Sequence, residues 1–422
     1  MREALIARVE GHGRIEVKVK KGKLQSIKLD ILTPPRLFEK LIVGRHFSEV
    51  PTIVSRICSI CSASHRVVSV MALEDALGIK VPEEVELMRR LLLHGGVLES
   101  HALHLFLLAL PDYYRKASFV ELSKDAPELV TLGFRLKGLG NRIQETVGGR
   151  AIHQITPVVG GMSAFPPAGE LESIAGEAEA LMERTYLTLK DVPSLELTPL
   201  AQVENWVSLS GREYEYTGGD ILINGRERLR VEDFSRRFHE SSLPPSYVKH
   251  TLLDNEKTFM VGALARVLNN RSKLKGRAGS FCRELGLTRQ KSTFMNNLAQ
   301  AVELLFCLER VSWIVEKLLK NREWSEEGMV VDFTPRAGRG VAAIEAPRGL
   351  LLHRYSLDDR GYVLDGDIVT PTALNLSEME RTLRDMAGHL LREGVRELTP
   401  SLEMLVRAFD PCISCSVHLL EV

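Results

Sequence analysis

Apolar and charged residues alternate along residues 14–31, on both sides of a central Gly22. This period of two, interrupted by a glycine turn, predicts a β-hairpin. From about residue 51 onward the apolar residues recur at helical spacing, and the first helix is predicted to run from Pro51 to a stop at Gly78. A second long helix is predicted over 83–110, and its latter half is apolar on nearly every side, which is typical of a buried helix.

Helical periodicity returns in four later segments, at 126–147, 170–192, 294–319 and 376–407. Two segments with glycine turns and many strand-forming residues, 195–230 and 329–364, are predicted to form small sheets. No repeat or change in composition divides the chain. We therefore predict a mainly α fold with small β excursions (α+β), a single large helical-bundle domain over residues 1–422 that begins with a β-hairpin region at 1–35.

The composition is that of a globular protein, with 44% apolar and 26% charged residues. Lysine plus arginine equals aspartate plus glutamate, 55 against 55, so charge gives no reason to expect nucleic acid or an anionic membrane surface as a partner. No apolar run approaches the roughly 18 residues of a membrane span. The first residues, "MREALIARVEGHG", lack the apolar stretch of a signal peptide. We expect a soluble, cytoplasmic protein without a membrane span.

Four of the six cysteines form two Cys-x-x-Cys pairs near opposite ends of the chain. Cys58 and Cys61 lie in "RICSIC", and Cys412 and Cys415 lie in "DPCISC". A separation of three residues, on a helix or at its edge, places both sulfur atoms on one side, where they can share a metal centre. Because most of the sequence separates the two pairs, only the fold can bring them together.

Cysteine spacing alone leaves several centres open. A structural zinc site, an iron–sulfur cluster, and a nickel or iron site all accept four thiolates. A thioredoxin-type disulfide is disfavoured, because there are two pairs and neither follows a βαβ pattern. Structural zinc usually stabilises short segments without a core of their own, whereas this chain has ample apolar residues. A site built from both ends of a large domain instead indicates a buried centre that performs chemistry.

The segments "RICSICSASH" and "DPCISCSVH" resemble the two cysteine motifs of the large subunit of [NiFe]-hydrogenases, R-x-C-x-x-C-x-x-x-H and D-P-C-x-x-C-x-x-H. Four further segments occur in the order that this family has, "RVEGHGRIEV", "LFEKLIVGR", "GGRAIHQ" and "EAPRGLLLH". The chain is most similar to the cytoplasmic, bidirectional type, the sulfhydrogenase or NADP-reducing heterotetramer. The resemblance implies the helical large-subunit fold, with a C-terminal metal-binding motif at 410–418.

In that family the four thiolates hold nickel, and two of them also bridge to an iron that carries carbon monoxide and cyanide. The resemblance implies that Cys58 and Cys412 bind nickel terminally, and that Cys61 and Cys415 bridge nickel and iron. It also implies heterolytic cleavage of H2, in which the metals accept the hydride and a terminal thiolate, Cys412, accepts the proton.

Three further residues match family positions with roles in the reaction. Glu10 in "RVEGH" matches the glutamate that accepts the proton from the thiolate; the alternative is a surface carboxylate beside the hairpin. Arg348 in "APRG" matches the arginine above the metals, where its donors can face cyanide or substrate; the alternative is half of a buried ion pair. Asp410 matches a partner of that arginine. Periplasmic members have an aspartate directly before the residue matching His101, whereas this chain has Ser100, which implies a weaker charge above the metals.

The resemblance also implies a magnesium or similar hard ion, held by Glu39 in "FEKL", the backbone carbonyl of Ile368 and His418. His65 is expected to orient the Cys61 region through a hydrogen bond. Many large subunits lose a C-terminal peptide after nickel insertion, and residues 419–422, "LLEV", match such a removable tail.

Only Cys282 and Cys307 remain outside the two pairs, too few for an electron relay, and no glycine-rich dinucleotide motif follows a strand. The resemblance therefore implies a partner small subunit with iron–sulfur clusters, and further subunits that hold iron–sulfur clusters, flavin and NAD(P). One alternative is the large subunit of a deazaflavin-coenzyme-reducing hydrogenase, which differs in its partner subunits. Another is a non-catalytic scaffold with a structural four-cysteine zinc site, which bound-metal identity would distinguish. A relative of the hydrogenase-like subunit of respiratory complex I is disfavoured, because such subunits have typically lost the cysteines.

Overall fold

The structure is a computed structural model that describes residues 2–34, 36–192, 200–242, 248–287, 291–320 and 324–416. Its α-helices are α1 Phe38–Ile42, α2 Val50–Val54, α3 Ser62–Leu77, α4 Glu83–Ala102, α5 Leu110–Tyr113, α6 Phe119–Asp125, α7 Pro127–Gly148, α8 Ala168–Lys190, α9 Ala263–Asn270, α10 Gly276–Glu284, α11 Met295–Lys320, α12 Pro371–Arg392 and α13 Thr399–Ala408. Its strands are β1 Arg2–Leu5, β2 Gly13–Lys20, β3 Lys23–Ile31, β4 Pro157–Val158, β5 Gly161–Met162, β6 Val207–Ser210, β7 Asp220–Ile223, β8 Glu227–Leu229, β9 Phe238–Ser242, β10 Lys249–Leu253, β11 Met329–Val330, β12 Gly338–Ala346, β13 Gly349–Leu357 and β14 Val363–Val369.

Long helices form the centre of the molecule, as the periodicity predicts. Helix α4 packs on α7 and α11, and α11 packs on α8. Two glycines permit the close approach of α4 and α7: a Cβ atom on Gly140 would lie 2.5 Å from the backbone nitrogen of Glu99, and one on Gly95 would lie 2.6 Å from Ile143. The helices therefore meet backbone to backbone, and their apolar faces are buried in one continuous cluster.

Helix α4 continues through a π-helical turn at Leu103–Ala109 into α5. Within the described ranges, this segment, Glu83–Tyr113, is the one helix that is long and apolar enough to cross a membrane, with a mean hydropathy of 1.4 in its most apolar window. The rest of the protein buries 89% of that window, as it does in the core helix of a globular protein.

Small antiparallel sheets lie around the helices. The hairpin predicted at 14–31 is β2 paired with β3, and β1 adds a third strand because residues 2–5 pair with residues 14–17. Strands β12, β13 and β14 form a second three-stranded sheet, which packs on α3. The remaining strands form sheets in the orders β6-β7-β8, β10-β9 and β11-β5-β4.

The prediction of one continuous helix from Pro51 to Gly78 is wrong. Helix α2 ends at Val54, a 3₁₀ turn follows at Ser55–Ile57, and Cys58 is extended with φ −147° and ψ 142°. Helix α3 then begins after Cys61 and ends at the left-handed Gly78. Helical spacing of apolar residues continues across this short break, so periodicity cannot reveal it. The break is where both cysteines of the first pair lie.

The helix predicted at 376–407 is also divided. Helix α12 begins earlier, at Pro371, and α13 begins at Thr399. The connection contains Gly394 with a positive φ of 78°, a conformation that ends helices and that glycine adopts without strain. After this bend, α13 packs against the π-helical segment Leu103–Ala109 and against α11. The C-terminal motif that follows α13 therefore lies in the interior.

Candidate metal centre

Four thiols from the two ends of the chain form one cluster. The Sγ atoms of Cys58, Cys61, Cys412 and Cys415 all lie within 4.8 Å of one another. Cys58 is paired with Cys412 at 3.3 Å, and Cys61 with Cys415 at 3.2 Å. None is more than 6% exposed, and none forms a disulfide. Four buried thiols at these distances are a ligand set for one metal centre.

The environment of these thiols controls their protons. Burial raises the pKa of Cys412 and of Cys415 well above the ordinary thiol value. The pKa of Cys58 is lowered, because hydrogen bonds from Cys412 and Cys415 favour its thiolate. Without metal the cluster therefore keeps protons, and metal binding must release them.

The two cysteine loops are held by different parts of the fold. Cys61 directly precedes α3, and its carbonyl accepts a hydrogen bond from the backbone of His65 at 3.1 Å. The second pair lies at a 3₁₀ turn, Ile413–Ser416. The backbone nitrogen of Cys412 donates to Thr372 Oγ1 at 3.0 Å, which attaches this turn to the start of α12.

Glu10 lies beside the second cysteine loop, although it follows the first strand of the chain. Glu10 and Cys412 form an isolated parallel β-bridge, and the backbone nitrogen of Ile413 donates to the Glu10 carbonyl at 3.1 Å. The Glu10 carboxylate accepts a hydrogen bond from the backbone nitrogen of Ser414 at 3.0 Å. The neighbouring Gly11 has φ 85°, and a Cβ atom there would lie 2.6 Å from Ile413. Glycine is therefore required for this contact.

Arg348 and Asp410 form a buried ion pair next to the thiols. Arg348 Nη2 lies 3.0 Å from Asp410 Oδ1, and Arg348 Nε donates to the Asp410 carbonyl at 2.9 Å. Burial acts to lower the pKa of Arg348, because it disfavours the charged form. The negative charges of Asp410 and of the cysteines have the larger effect and raise this pKa well above its ordinary value. Arg348 Nη1 is buried and has no hydrogen-bond partner among the described residues. This donor is available to a ligand of the centre.

A cavity of about 10 Å³ lies between Arg348 and the thiols, with room for roughly one water-sized molecule. Cys61, Cys412 and Cys415 line it together with His65, Ala346, Leu351, Pro371 and Thr372. Burial lowers the pKa of His65 to about 4, and its Nδ1 atom lies 3.1 Å from His353 Nε2. The site is thus a closed space with room for a very small substrate.

Sequence reasoning missed the residues on the far side of Asp410. Gln300 Nε2 donates to Asp410 Oδ2 at 2.9 Å, and Gln300 Oε1 lies 2.6 Å from His104 Nδ1. His104 Nε2 donates to the Arg407 carbonyl at 2.8 Å. Gln300 and His104 are buried within long helical segments and are not at a spacing typical of a metal site, so the spacing gives no signal for them. Both carboxylate oxygens of Asp410 are therefore held: Arg348 binds Oδ1 and Gln300 binds Oδ2.

Ser100 and His101 lie on α4, and both are fully buried. Ser100 Oγ has no partner within the described part of the chain, whereas His101 Nε2 lies 2.7 Å from Glu303 Oε2. Glu303 also accepts two hydrogen bonds of 2.6 Å from Arg266. Burial acts to raise the pKa of Glu303, but the charge and hydrogen bonds of Arg266 lower it to about 2. The carboxylate near His101 therefore comes from α11 and is engaged by other partners.

Arg266 also donates to a second carboxyl group, that of Glu345, at 3.1 Å. Burial raises the pKa of Glu345 to about 7, because Arg266 compensates this carboxyl group less than it does Glu303. One arginine thus holds two carboxyl groups with different proton affinities.

Glu39 lies in a group of charged residues that could hold a hard cation. Its Oε1 atom accepts a hydrogen bond from the Ile368 backbone nitrogen at 2.9 Å and lies 3.6 Å from Lys249 Nζ. The same ammonium lies 2.9 Å from Glu240 and 3.7 Å from Asp367, so three carboxylates surround one lysine. Glu39 Oε2 is buried without a partner among the residues described, and burial raises the pKa of Glu39 to about 7. This surplus of carboxylate fits a divalent cation.

The structure thus brings together nearly all of the residues that the sequence singles out. The four cysteines form one cluster, Arg348 and Asp410 lie beside it, and Glu10 binds the second cysteine loop. Glu39 and Ile368 lie together at a second position. His418 and the tail at 419–422 lie outside the described residues.

Comparison with known proteins agrees with this arrangement. A family model described as nickel-dependent hydrogenase matches residues 36–132 and 245–418, which include both cysteine pairs. Sulfhydrogenase 2 subunit alpha from Pyrococcus furiosus is 39% identical over 417 residues, 98% of this chain and 98% of that protein. Sulfhydrogenase 1 subunit alpha from the same organism is 35% identical over 430 residues, covering 99% and 97%. A solved NAD+-reducing [NiFe]-hydrogenase in the H2-reduced state superimposes with a TM-score of 0.88 at 26% identity, covering 99% of this chain and 100% of that one.

These findings confirm the predicted helical fold and the predicted hydrogenase function. The family match extends over more than half of the chain, and the relatives align with it nearly end to end. The chain belongs to the nickel-dependent hydrogenase family and is a large subunit of that family.

Proposed function

We propose that this subunit binds a nickel–iron centre with carbon monoxide and cyanide on the iron, and catalyses reversible heterolytic cleavage of H2. The observation that carries the proposal is the cluster of four buried thiols beside Arg348 Nη1. Cys58, Cys61, Cys412 and Cys415 would hold the nickel, and Cys61 and Cys415 would also hold the iron. The donor set fits, since soft thiolates suit both metals. When bound, the centre supplies the Lewis acid and the acceptor of the electron pair of H2.

The residues of the chain move the proton. The Cys412 thiolate accepts it as a general base in a closed cavity. Cys412 Sγ lies 3.7 Å from Ser414 Oγ, and the backbone nitrogen of Ser414 donates a hydrogen bond to the Glu10 carboxylate. Glu10 is partly exposed, so a proton that reaches it can leave towards the surface. Arg348, held by Asp410, lines the cavity, and its Nη1 donor, which has no partner among the described residues, would orient the ligands there.

Electrons leave through partner subunits in this proposal. Besides the four clustered thiols, the chain has only Cys282 and Cys307, too few to hold an iron–sulfur cluster. The matched sulfhydrogenase chains are named alpha subunits, and the structural neighbour is named as NAD+-reducing. We therefore propose that this chain assembles with a small subunit that holds iron–sulfur clusters and with further iron–sulfur and flavin subunits. The complex is a cytoplasmic heterotetramer, and NAD(P) is its electron carrier.

A hard cation, Mg2+, occupies the Glu39 position in this proposal, with the Ile368 carbonyl and His418 as the other protein ligands. The unpartnered Glu39 oxygen and the surplus of carboxylate around Lys249 support it. Metal analysis of the purified protein tests it. We expect one magnesium per chain in the wild type and none in Glu39→Gln; equal magnesium in both would contradict the assignment.

An infrared spectrum of the anaerobically purified subunit with its partners tests the main proposal. We expect stretching bands of metal-bound carbon monoxide and cyanide, and their loss in Cys61→Ala, while Cys307→Ala retains them. A wild-type protein that contains zinc alone and shows no such bands would contradict the proposal and favour the structural zinc site. H2-dependent reduction of NAD(P)+, compared with that of a deazaflavin coenzyme, then identifies the carrier.

A further inference from the structure

Arg36 connects the two cysteine loops directly. One guanidinium nitrogen, Nη2, donates both to the carbonyl of Ile57 and to the carbonyl of Ser414. Ile57 directly precedes Cys58, and Ser414 directly precedes Cys415. The other terminal nitrogen, Nη1, lies 3.5 Å from the carbonyl of Arg56. A single side chain thus holds both ends of the chain at the residue before a cysteine.

The chemistry of the contact favours arginine over lysine. The two hydrogens of Nη2 diverge in a fixed plane, so each can meet one carbonyl oxygen, and the planar group need not reorganise to do so. The guanidinium also lies over the ring of Phe38, with 5.3 Å from Cζ to the centroid, which limits its movement. Lysine has a compact ammonium on a flexible stem, so it would hold the two loops less firmly.

The local backbone supports the same interpretation. Leu37, next to Arg36, has φ 52° and ψ 33°, the left-handed region that branched side chains rarely adopt. Such a conformation is strained for a residue other than glycine and persists only where the surroundings impose it. It turns the chain sharply at the start of α1, between Arg36 in contact with the cysteine loops and Glu39 at the cation position.

We propose that Arg36 is a positioning residue that fastens the two cysteine loops together and holds the four thiols at metal-binding distance before any metal arrives. The other hydrogen bonds of the second loop, to Glu10 and Thr372, attach it to elements that carry no cysteine. Apart from the contacts between the thiols themselves, Arg36 is the side chain within the described ranges whose hydrogen bonds join the second loop to the first. The inference rests on the proposed metal-binding role of the thiols, but it concerns the chain without metal.

Thiol modification of the full-length, metal-free chain tests the proposal. Each cysteine is followed by peptide mass mapping during reaction with a maleimide, in the wild type, Arg36→Met, Arg36→Lys and Arg45→Met. Arg45 is the matched control, an exposed arginine of the same region whose ion pair with Glu49 is 3.7 Å long. We expect Cys412 and Cys415 to react about tenfold faster in Arg36→Met, less so in Arg36→Lys, and unchanged in Arg45→Met.

The direction of the change excludes a simple electrostatic effect. The thiolate is the reactive form, and a nearby cation favours it, so loss of the Arg36 charge alone would slow modification. Faster modification therefore reports opening of the loops. Unchanged or slower rates at Cys412 and Cys415 in Arg36→Met would overturn the proposal.

Cys307, which is fully buried in α11, reports global unfolding in the same experiment. If Cys307 also becomes reactive in Arg36→Met, the comparison is made on Arg36→Lys: a selective increase at Cys412 and Cys415 supports the proposal, and its absence overturns it. Because no metal is present, the outcome is independent of the infrared test of the hydrogenase centre.

Discussion

The sulfur atoms of Cys61 and Cys415 lie 3.2 Å apart, although 354 residues separate them in the sequence. Closing a loop of that length has an entropic cost of about 5 kcal/mol beyond a constant term, from (3/2)RT ln n. Packing of α13, the bonds of the Ile413–Ser416 turn and the Arg348–Asp410 pair offset this cost in the folded chain.

Replacement of one thiol should remove the metal. We expect Cys415→Ala to lower bound nickel from one atom per chain to near zero, because three thiolates cannot complete the site. Cys282→Ala is the control, since that buried cysteine lies outside the cluster and should keep full nickel content. Metal analysis by mass spectrometry measures both; nickel retained in Cys415→Ala would contradict the site.

Substitution of Arg348 should separate charge from geometry. Arg348→Lys keeps a cation beside Asp410 but loses the free Nη1 donor, so we expect kcat for H2 oxidation to fall about 100-fold. Arg348→Met leaves Asp410 buried and unpaired, which should lower the free energy of unfolding by about 3–5 kcal/mol. Kinetics and denaturant titration test the two variants; wild-type kcat in Arg348→Lys would exclude a role for the donor.

Gln300 should act on the reaction through Asp410. Gln300→Leu leaves Asp410 Oδ2 and His104 Nδ1 without their partner, so we expect a loss of about 1–3 kcal/mol in stability and about tenfold in kcat. Gln144→Leu is the matched control, a buried glutamine bonded to Glu99 and Gln154 away from the cavity. It should lose similar stability and keep its kcat. Equal kcat losses in both variants would indicate a merely structural effect.

The carboxyl groups of Glu303 and Glu345, which both bind Arg266, lead us to expect a pH dependence of stability. The pKa of Glu345 is raised in the folded state to about 7, so the unfolded chain ionises first, and stability falls as the pH rises from about 4.5 to 7. The shift corresponds to about 3 kcal/mol. The pKa of Glu303 is lowered to about 2, so its contribution is constant in this range and is lost only as the pH falls towards 2.

Denaturant titrations at pH 5 and pH 8 test this difference. We expect Glu345→Gln to reduce the fall in stability between the two pH values. Glu303→Gln should keep the wild-type fall but be less stable at both pH values, because Arg266 and His101 lose their partner. An unchanged pH dependence in Glu345→Gln would show that another group titrates.

The tail after His418 should be absent from the active subunit. We expect the nickel-loaded chain purified from its own cells to end at His418, and the chain from nickel-starved cells to retain 419–422. Intact mass spectrometry measures both. A nickel-loaded chain that still contains all 422 residues would contradict the proposed removal.

Local elements could be predicted from the sequence where one residue pattern decides them. The β2–β3 hairpin follows from alternation around Gly22, and α11 follows from a long apolar periodicity. The break at Cys58 could not be predicted, because the same periodicity continues on both sides of it. Gly394 is a signal for the division between α12 and α13, but a helix tolerates a single glycine. The glycine alone therefore does not predict whether the helix ends there.

The site could be predicted only in part, for a related reason. The cysteine pairs, Arg348 and Glu10 lie in motifs whose spacing or resemblance is visible. Gln300 and Arg36 have no such signal: one is a polar residue on a long helix, and the other is an arginine in a loop. Their roles arise from partners more than 100 residues away, at separations of 110 and 378.

The β-bridge between Glu10 and Cys412 joins two residues that are synthesised about 400 positions apart. A nascent chain therefore displays its N-terminal half of the centre long before the other half exists. A product that stops short of residue 412 has Cys58 and Cys61 but lacks the second loop, so it can neither close the cavity nor retain the metal. If the four thiols bind nickel as proposed, metal loading thus requires synthesis to pass residue 415, and the topology keeps nickel out of shorter chains.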